Sequence, residues 1–144
     1  MHIRIRQYFI TVLLVYIPML GCQSDATVVP EVYFEPLQPS TNLQAVLIIP
    51  KVGCGGCISD ATAFVKNHCN ELNSTKVVLT AYEGKKELAL TFKNCYESKL
   101  FHFDSENRFY NPMDTLSIYP KIYYRESGIW KHKPFALRDT SLLH

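Results

Sequence analysis

Net charge is scarce in this chain: 15 Lys and Arg face 13 Asp and Glu over 144 residues. The basic residues are scattered rather than striped, which argues against a nucleic-acid footprint. No internal repeat and no low-complexity segment is visible, so a repeat array is excluded. No grouping of Ser, His and Asp supports hydroxyl-nucleophile catalysis. Long apolar runs are also missing. Phe9 to Leu20 is apolar apart from Thr11, but it is short for a membrane span and carries Pro18.

Five cysteines are present, and two of them sit in an informative setting. The apolar run Ala45 to Ile49 reads as a buried strand that stops at Pro50. Gly53-Cys54-Gly55-Gly56-Cys57 follows at once, and then Ile58 to His68, which has helical character. Cysteines spaced this way on the first turn of a helix can close a small disulfide. The first faces the unpaired amides of the helix N-terminus, where a thiolate is favoured over a thiol. Gly55 and Gly56 add neither charge nor proton donor, so the helix end is the main stabilising influence; Lys51 is expected to be a solvated surface charge, with help to the thiolate as the alternative. Asp60 acts in the opposite sense.

The first residues suggest the compartment. Arg4 and Arg6 make a basic start to the apolar segment, which ends in Met19-Leu20-Gly21-Cys22. This resembles the lipobox of bacterial lipoproteins, with Met19 a less usual residue at its outer position. The resemblance implies removal of residues 1–21 as a signal peptide and lipidation of Cys22. Gln23 after the cysteine implies the outer membrane, facing the periplasm. Removing Arg4 and Arg6 takes the basic count from 15 to 13, so the mature chain is formally neutral. Residues 22–40 then read as a tether interrupted by Pro30, Pro36 and Pro39. Val28, Val29, Val32, Tyr33 and Phe34 are apolar for a free linker, so part of this stretch is expected to dock on the domain or add an edge strand.

From residue 41 strands and helices alternate. Leu43 to Ile49 is the first strand. Cys54 to Cys69 is a helix with Ile58, Ala61, Phe64, Val65 and His68 on one face. Thr75 to Tyr82 is the second strand. Lys85 to Lys93 fits a helix or a hairpin strand. Leu100 to Phe103 is a short strand, and a polar turn leads to Arg108 to Tyr110. Lys121 to Arg125 and Ile129 to His132 form a hairpin around Glu126-Ser127-Gly128, with Pro120 just before it. Tyr119-Pro120 is a candidate cis bond, because an aromatic residue before proline raises the cis fraction.

Two motifs carry a family resemblance: Gly53-Cys54-Gly55-Gly56-Cys57, and Ile118-Tyr119-Pro120-Lys121-Ile122 ahead of a hairpin. With strands and helices between them in the order βαβαββ, about residues 41 to 135 of an expected domain 41–144 resemble the thioredoxin-like Cys-x-x-Cys lipoproteins of Bacteroidetes type. The resemblance implies an α/β, three-layer thioredoxin-like fold. Its central mixed sheet would carry helices on both faces and a short or missing C-terminal helix. It implies a membrane-tethered thiol:disulfide oxidoreductase acting without a cofactor on protein thiols and disulfides, with a further redox partner. Cys54 would attack and Cys57 would resolve. Pro120 would be the cis-proline that keeps metal from the thiol pair, and the Tyr119 backbone would pair with a substrate strand.

This chain departs from the family at three places. Gly53 stands where an aromatic residue, usually Trp, precedes the first cysteine. Ile48 stands where thioredoxin has a buried acid. Few residues follow Pro134, so the 23–40 segment, a partner or a short helix must cover a sheet face. Cys69 and Cys95 remain unassigned. An oxidising compartment permits their pairing, but the thioredoxin-like layout would place them at helix ends on opposite faces, so buried free thiols are expected.

Two other functions compete. A non-catalytic thioredoxin-like binding module would use Cys54–Cys57 as a structural disulfide. A soft-metal carrier would bind Cu(I) through the same pair. Val52 replaces the Met that small copper-binding domains carry before their first cysteine. His68, about 16 Å further along the helix, is too far away to add a ligand.

Overall fold

The structure is a computed structural model and describes residues 29–37, 42–93, 95 and 99–144. The segment 1–21, Cys22 and the tether residues 23–28 and 38–40 lie outside the described residues.

Strand β1 (Ala45–Pro50) is buried along its whole length. It pairs in parallel with β2 (Thr75–Thr80) and antiparallel with β4 (Lys121–Glu126). A strand with neighbours on both edges and cover on both faces needs apolar side chains in both directions. That is why it reads as an unbroken run rather than an alternation. Strand β3 (Phe101–Asp104) lies parallel to β2, and β5 (Ile129–Pro134) lies antiparallel to β4. The result is a five-stranded mixed sheet in the order β3-β2-β1-β4-β5. The β4–β5 loop is Ser127-Gly128, with φ of +52° and +79°. Two positive φ angles match the strand twist in a two-residue hairpin loop, and glycine adopts one without a Cβ clash.

Helix α1 (Gly55–His68) joins β1 to β2, and α2 (Lys85–Phe92) precedes β3. The segment that fitted either helix or strand is thus helical, burying Leu88 and Phe92 one turn apart. Both crossovers step in the same direction across the sheet, from β1 to β2 to β3. Right-handed crossovers stepping one way put their helices on one face. Ala61, Phe64 and Val65 of α1 and Leu88 and Phe92 of α2 accordingly share a core with Ala45, Leu47, Ile49, Val77 and Leu79. Both α-helices therefore lie on one face, and the other face is left to a 3-10 helix.

The opposite face presents Val46, Ile48, Val78, Tyr123 and Trp130, and Phe34, Leu37 and Phe109 cover it. Phe34 and Leu37 come from a 3-10 helix, Glu31–Leu37, within the expected tether. The Val29 N–H donates to the Trp130 carbonyl at 3.1 Å, Glu31 pairs with Arg125, and Phe34 packs on Trp130 with ring centroids 4.4 Å apart. The apolar part of the tether therefore docks, although Val32 stays exposed. A second 3-10 helix, Leu137–Leu143, takes the place of a C-terminal α-helix and buries Leu143 on the helical face. No helix among the described residues is long and apolar enough to cross a membrane.

Having both helices on one face also changes the assignment of two cysteines. Cys69 caps the C-terminus of α1, and Cys95 follows α2. They form a disulfide with Cα atoms 6.0 Å apart, where free thiols were expected.

Candidate functional site

The site grows from the C-terminal end of β1, where open α/β sheets commonly place their ligands. After Pro50 the Lys51 N–H still bonds the Thr80 carbonyl at 3.0 Å, and the chain then turns through Gly53. Gly53 has φ +146°, and a Cβ there would stand 2.1 Å from the Ile118 carbonyl oxygen. Glycine is therefore required by close backbone approach as well as by conformation. This accounts physically for the missing aromatic residue before the first cysteine.

Cys54 is the N-cap of α1, with an extended backbone at φ −67° and ψ 96°. Its sulfur accepts the Cys57 N–H at 3.4 Å, and its carbonyl accepts the Ile58 N–H at 2.9 Å. An N-cap ordinarily offers a side-chain oxygen to the free amides of the first turn, and here sulfur takes that place. Cys54 and Cys57 form a disulfide with Cα atoms 5.3 Å apart. Both are partly buried, while Gly55 and Gly56 are exposed. A Cβ at either glycine would meet nothing within 4 Å, so the outer side of the disulfide is open.

The 115–120 segment reaches this disulfide, as the second motif implied. The Cys54 N–H donates to the Ile118 carbonyl at 2.9 Å. A 3-10 helix, Thr115–Ile118, sets that carbonyl. Asp114 caps it by accepting the Leu116 N–H at 2.9 Å and the Lys121 ammonium at 3.0 Å. These contacts, the Leu116 amide first and Lys121 next, hold the Asp114 carboxyl below its ordinary value. The Ser117 hydroxyl donates to the Asp114 carbonyl at 2.7 Å. Asp114 carried a readable signal, an acidic residue just before a short turn of helix. The role of Ile118 carried none, because a main-chain carbonyl leaves no trace in residue type.

No peptide bond among the described residues is cis, so Tyr119-Pro120 is trans and that expectation is corrected. Tyr119 is extended at φ −104° and ψ 143°, and its N–H closes the 3-10 helix on the Leu116 carbonyl at 3.2 Å. The chain thus runs directly into β4. The Tyr119 N–H is already committed within the protein. Pro120 is buried, and its carbonyl accepts the Phe135 N–H at 2.7 Å.

Lys51 is paired rather than free. Its ammonium lies 3.1 Å from Glu87 and 3.3 Å from Glu83. Glu87 and then Glu83 raise its pKa, so its charge is largely answered by carboxylates. Position 48 is a buried isoleucine among Val46, Val78 and Trp130. His68 is half-exposed, stacks on Phe64 and bonds Glu71 at 3.0 Å. Among the described residues no group of three or more His, Cys, Asp or Glu is placed to hold a metal ion.

A further polar anchor on the same sheet end was not foreseen. Buried Asp104 accepts the Thr80 hydroxyl and the N–H groups of Arg108 and Phe109, each at 2.9 Å. It thereby fixes the turn that drops Phe109 onto the aromatic face. Comparison with protein-family models, curated proteins and solved structures gave no match.

Proposed function

We propose that this chain is a membrane-tethered thiol:disulfide oxidoreductase of thioredoxin-like type, acting in the bacterial envelope and held there by lipid on Cys22. The observation that carries this reading is the Cys54–Cys57 disulfide at the N-cap of α1, open on its outer side. When the pair is reduced, the first-turn amides favour the Cys54 thiolate. That thiolate attacks one sulfur of a substrate disulfide, the substrate S–S bond breaks, and the departing sulfur leaves as a thiolate that takes a proton. Cys57, deprotonated in turn, attacks the Cys54 sulfur. The second substrate sulfur leaves as a thiol, and the Cys54–Cys57 disulfide re-forms. The substrate gains two electrons and the protein loses two. A dithiol partner supplies them back, or the whole sequence runs in reverse to oxidise substrates.

The test is exchange with a model protein disulfide. Cys54→Ser should abolish mixed-disulfide formation, and Cys57→Ser should trap it. If neither change alters exchange, the catalytic reading is wrong. A second reading is favoured by buried Ile48, which stands where the family carries an acid to help the resolving thiol. In that reading the domain is a non-catalytic binding module, and Cys54–Cys57 stays closed.

A further inference from the structure

The docked segment 29–37 fixes where the chain enters the domain, and this bears on which way the disulfide faces. Val29 pairs with Trp130, and Trp130 sits opposite Arg125 beside the β4–β5 turn. Tyr124 pairs with Ala45, the first residue of β1. The entry point therefore lies at the N-terminal end of β1. Cys54 follows the C-terminal end of β1, about 17 Å further along at the usual strand rise. The Glu31–Arg125 pair and the Phe34–Trp130 contact hold the start of the segment at this pole, and the segment then crosses the sheet face to Tyr33 on Phe109.

Six residues, 23–28, lie between Cys22 and Val29, which makes seven Cα–Cα steps. Fully extended they reach at most about 25 Å, and as a flexible chain they average roughly 15 Å. A domain of this length is roughly 35 Å across. The tether is thus shorter than the body it holds.

We propose that segment 29–37 makes the domain stand on its anchor with the β4–β5 turn toward the bilayer and the Cys54–Cys57 disulfide facing away. The partners it serves are then thiols and disulfides of polypeptides in the aqueous space, not of proteins embedded in the anchoring leaflet. This rests on the reading of Cys22 as lipidated.

The test uses the full chain, produced in bacteria, purified from membranes and placed in phosphatidylethanolamine–phosphatidylglycerol vesicles carrying a headgroup energy acceptor. A donor dye is attached at Glu126→Cys, beside the hairpin turn, or at Met113→Cys, in the exposed loop that leads to Ile118. Intact mass reports the acyl chains on Cys22. Energy transfer several-fold stronger from position 126 than from position 113 is expected. Equal transfer from the two positions, or stronger transfer from 113, would overturn the proposal. So would a mass without acyl chains. A redox-inert Cys54–Cys57 pair would instead sink the oxidoreductase reading and leave the orientation standing.

Discussion

Helix α1 carries a cysteine at each end, and the two ends differ in kind. Cys54 caps the N-terminus and bonds three residues along the chain, to Cys57. Cys69 caps the C-terminus and bonds across to Cys95, 26 residues away. At the N-terminus the free N–H groups favour a sulfur anion. At the C-terminus the free carbonyls oppose one. A disulfide is easier to reduce when its thiolate product is stabilised. The two bonds also differ in what they give the fold, because a crosslink restricts the unfolded chain more when its loop is longer. Closing the long loop of Cys69–Cys95 is worth about 3.5 kcal/mol against about 2 kcal/mol for the short loop. On the proposed function, the bond at the N-terminal end of the helix is the one that opens and the bond at the C-terminal end stays closed.

The largest effect should come from removing this contrast at the N-terminal end of the helix. Cys54→Ser should bring disulfide exchange to background while the circular dichroism spectrum stays native. The double change Cys69→Ala, Cys95→Ala should do the reverse. It should lower the unfolding free energy by about 3.5 kcal/mol in urea titration and leave the exchange rate of the folded protein unchanged. A large fall in exchange there would show that the two poles are coupled.

Gly53→Ala sharpens the comparison at the N-terminal end of the helix. The added methyl meets the Ile118 carbonyl at 2.1 Å, and φ +146° is unfavourable for alanine. A destabilisation of at least about 1–3 kcal/mol is expected from the backbone alone, with slower exchange, because the 115–120 segment must move off Cys54. Denaturant midpoint and exchange rate report the two effects separately.

The smallest effect concerns Asp114, whose carboxyl is depressed by the Leu116 N–H and by Lys121. A depressed carboxylate contributes stability above its unfolded pKa and loses it as pH falls through its folded value. Its side chain is 40% exposed, so the contribution is at most a fraction of about 1 kcal/mol. Asp114→Asn should flatten the acid limb of the stability–pH curve slightly and leave the neutral limb parallel to the original. An unchanged acid limb would remove Asp114 from the account of the loop.

Much of this architecture was readable because it is local. The buried run of β1, the apolar face of α1 through Ala61, Phe64 and Val65, and the β4–β5 hairpin all carry their periodicity in the residues themselves. The placement of Cys-x-x-Cys at the start of α1 was local too, since Pro50 ends the strand immediately before it. The features that escaped depend on distant residues. Leu88, Leu90 and Phe92 alternate like a strand, yet as a helix the segment buries Leu88 and Phe92 in the core on the α1 side of the sheet, with Phe92 against Phe101, and leaves Leu90 exposed. The Cys69–Cys95 bond follows from two crossovers stepping in the same direction, a property of topology rather than composition. Gly53 looked like a lost aromatic until the Ile118 carbonyl was seen against it. Tyr119-Pro120 is trans, because an aromatic residue before proline raises the cis fraction without making cis the rule. The aromatic residues of the tether did hint at docking, and Phe34 fulfils that by covering Trp130 and Tyr123.

The central claim is that the two disulfides are poised differently, and one redox titration tests it. The protein would be equilibrated across glutathione and dithiothreitol ratios, thiols alkylated at each point, and every cysteine read by peptide mass. Cys54 and Cys57 should open reversibly together in the range of known oxidoreductases, while Cys69 and Cys95 stay paired until much more reducing conditions. A Cys54–Cys57 pair that remains closed as long as Cys69–Cys95, or longer, would contradict the account.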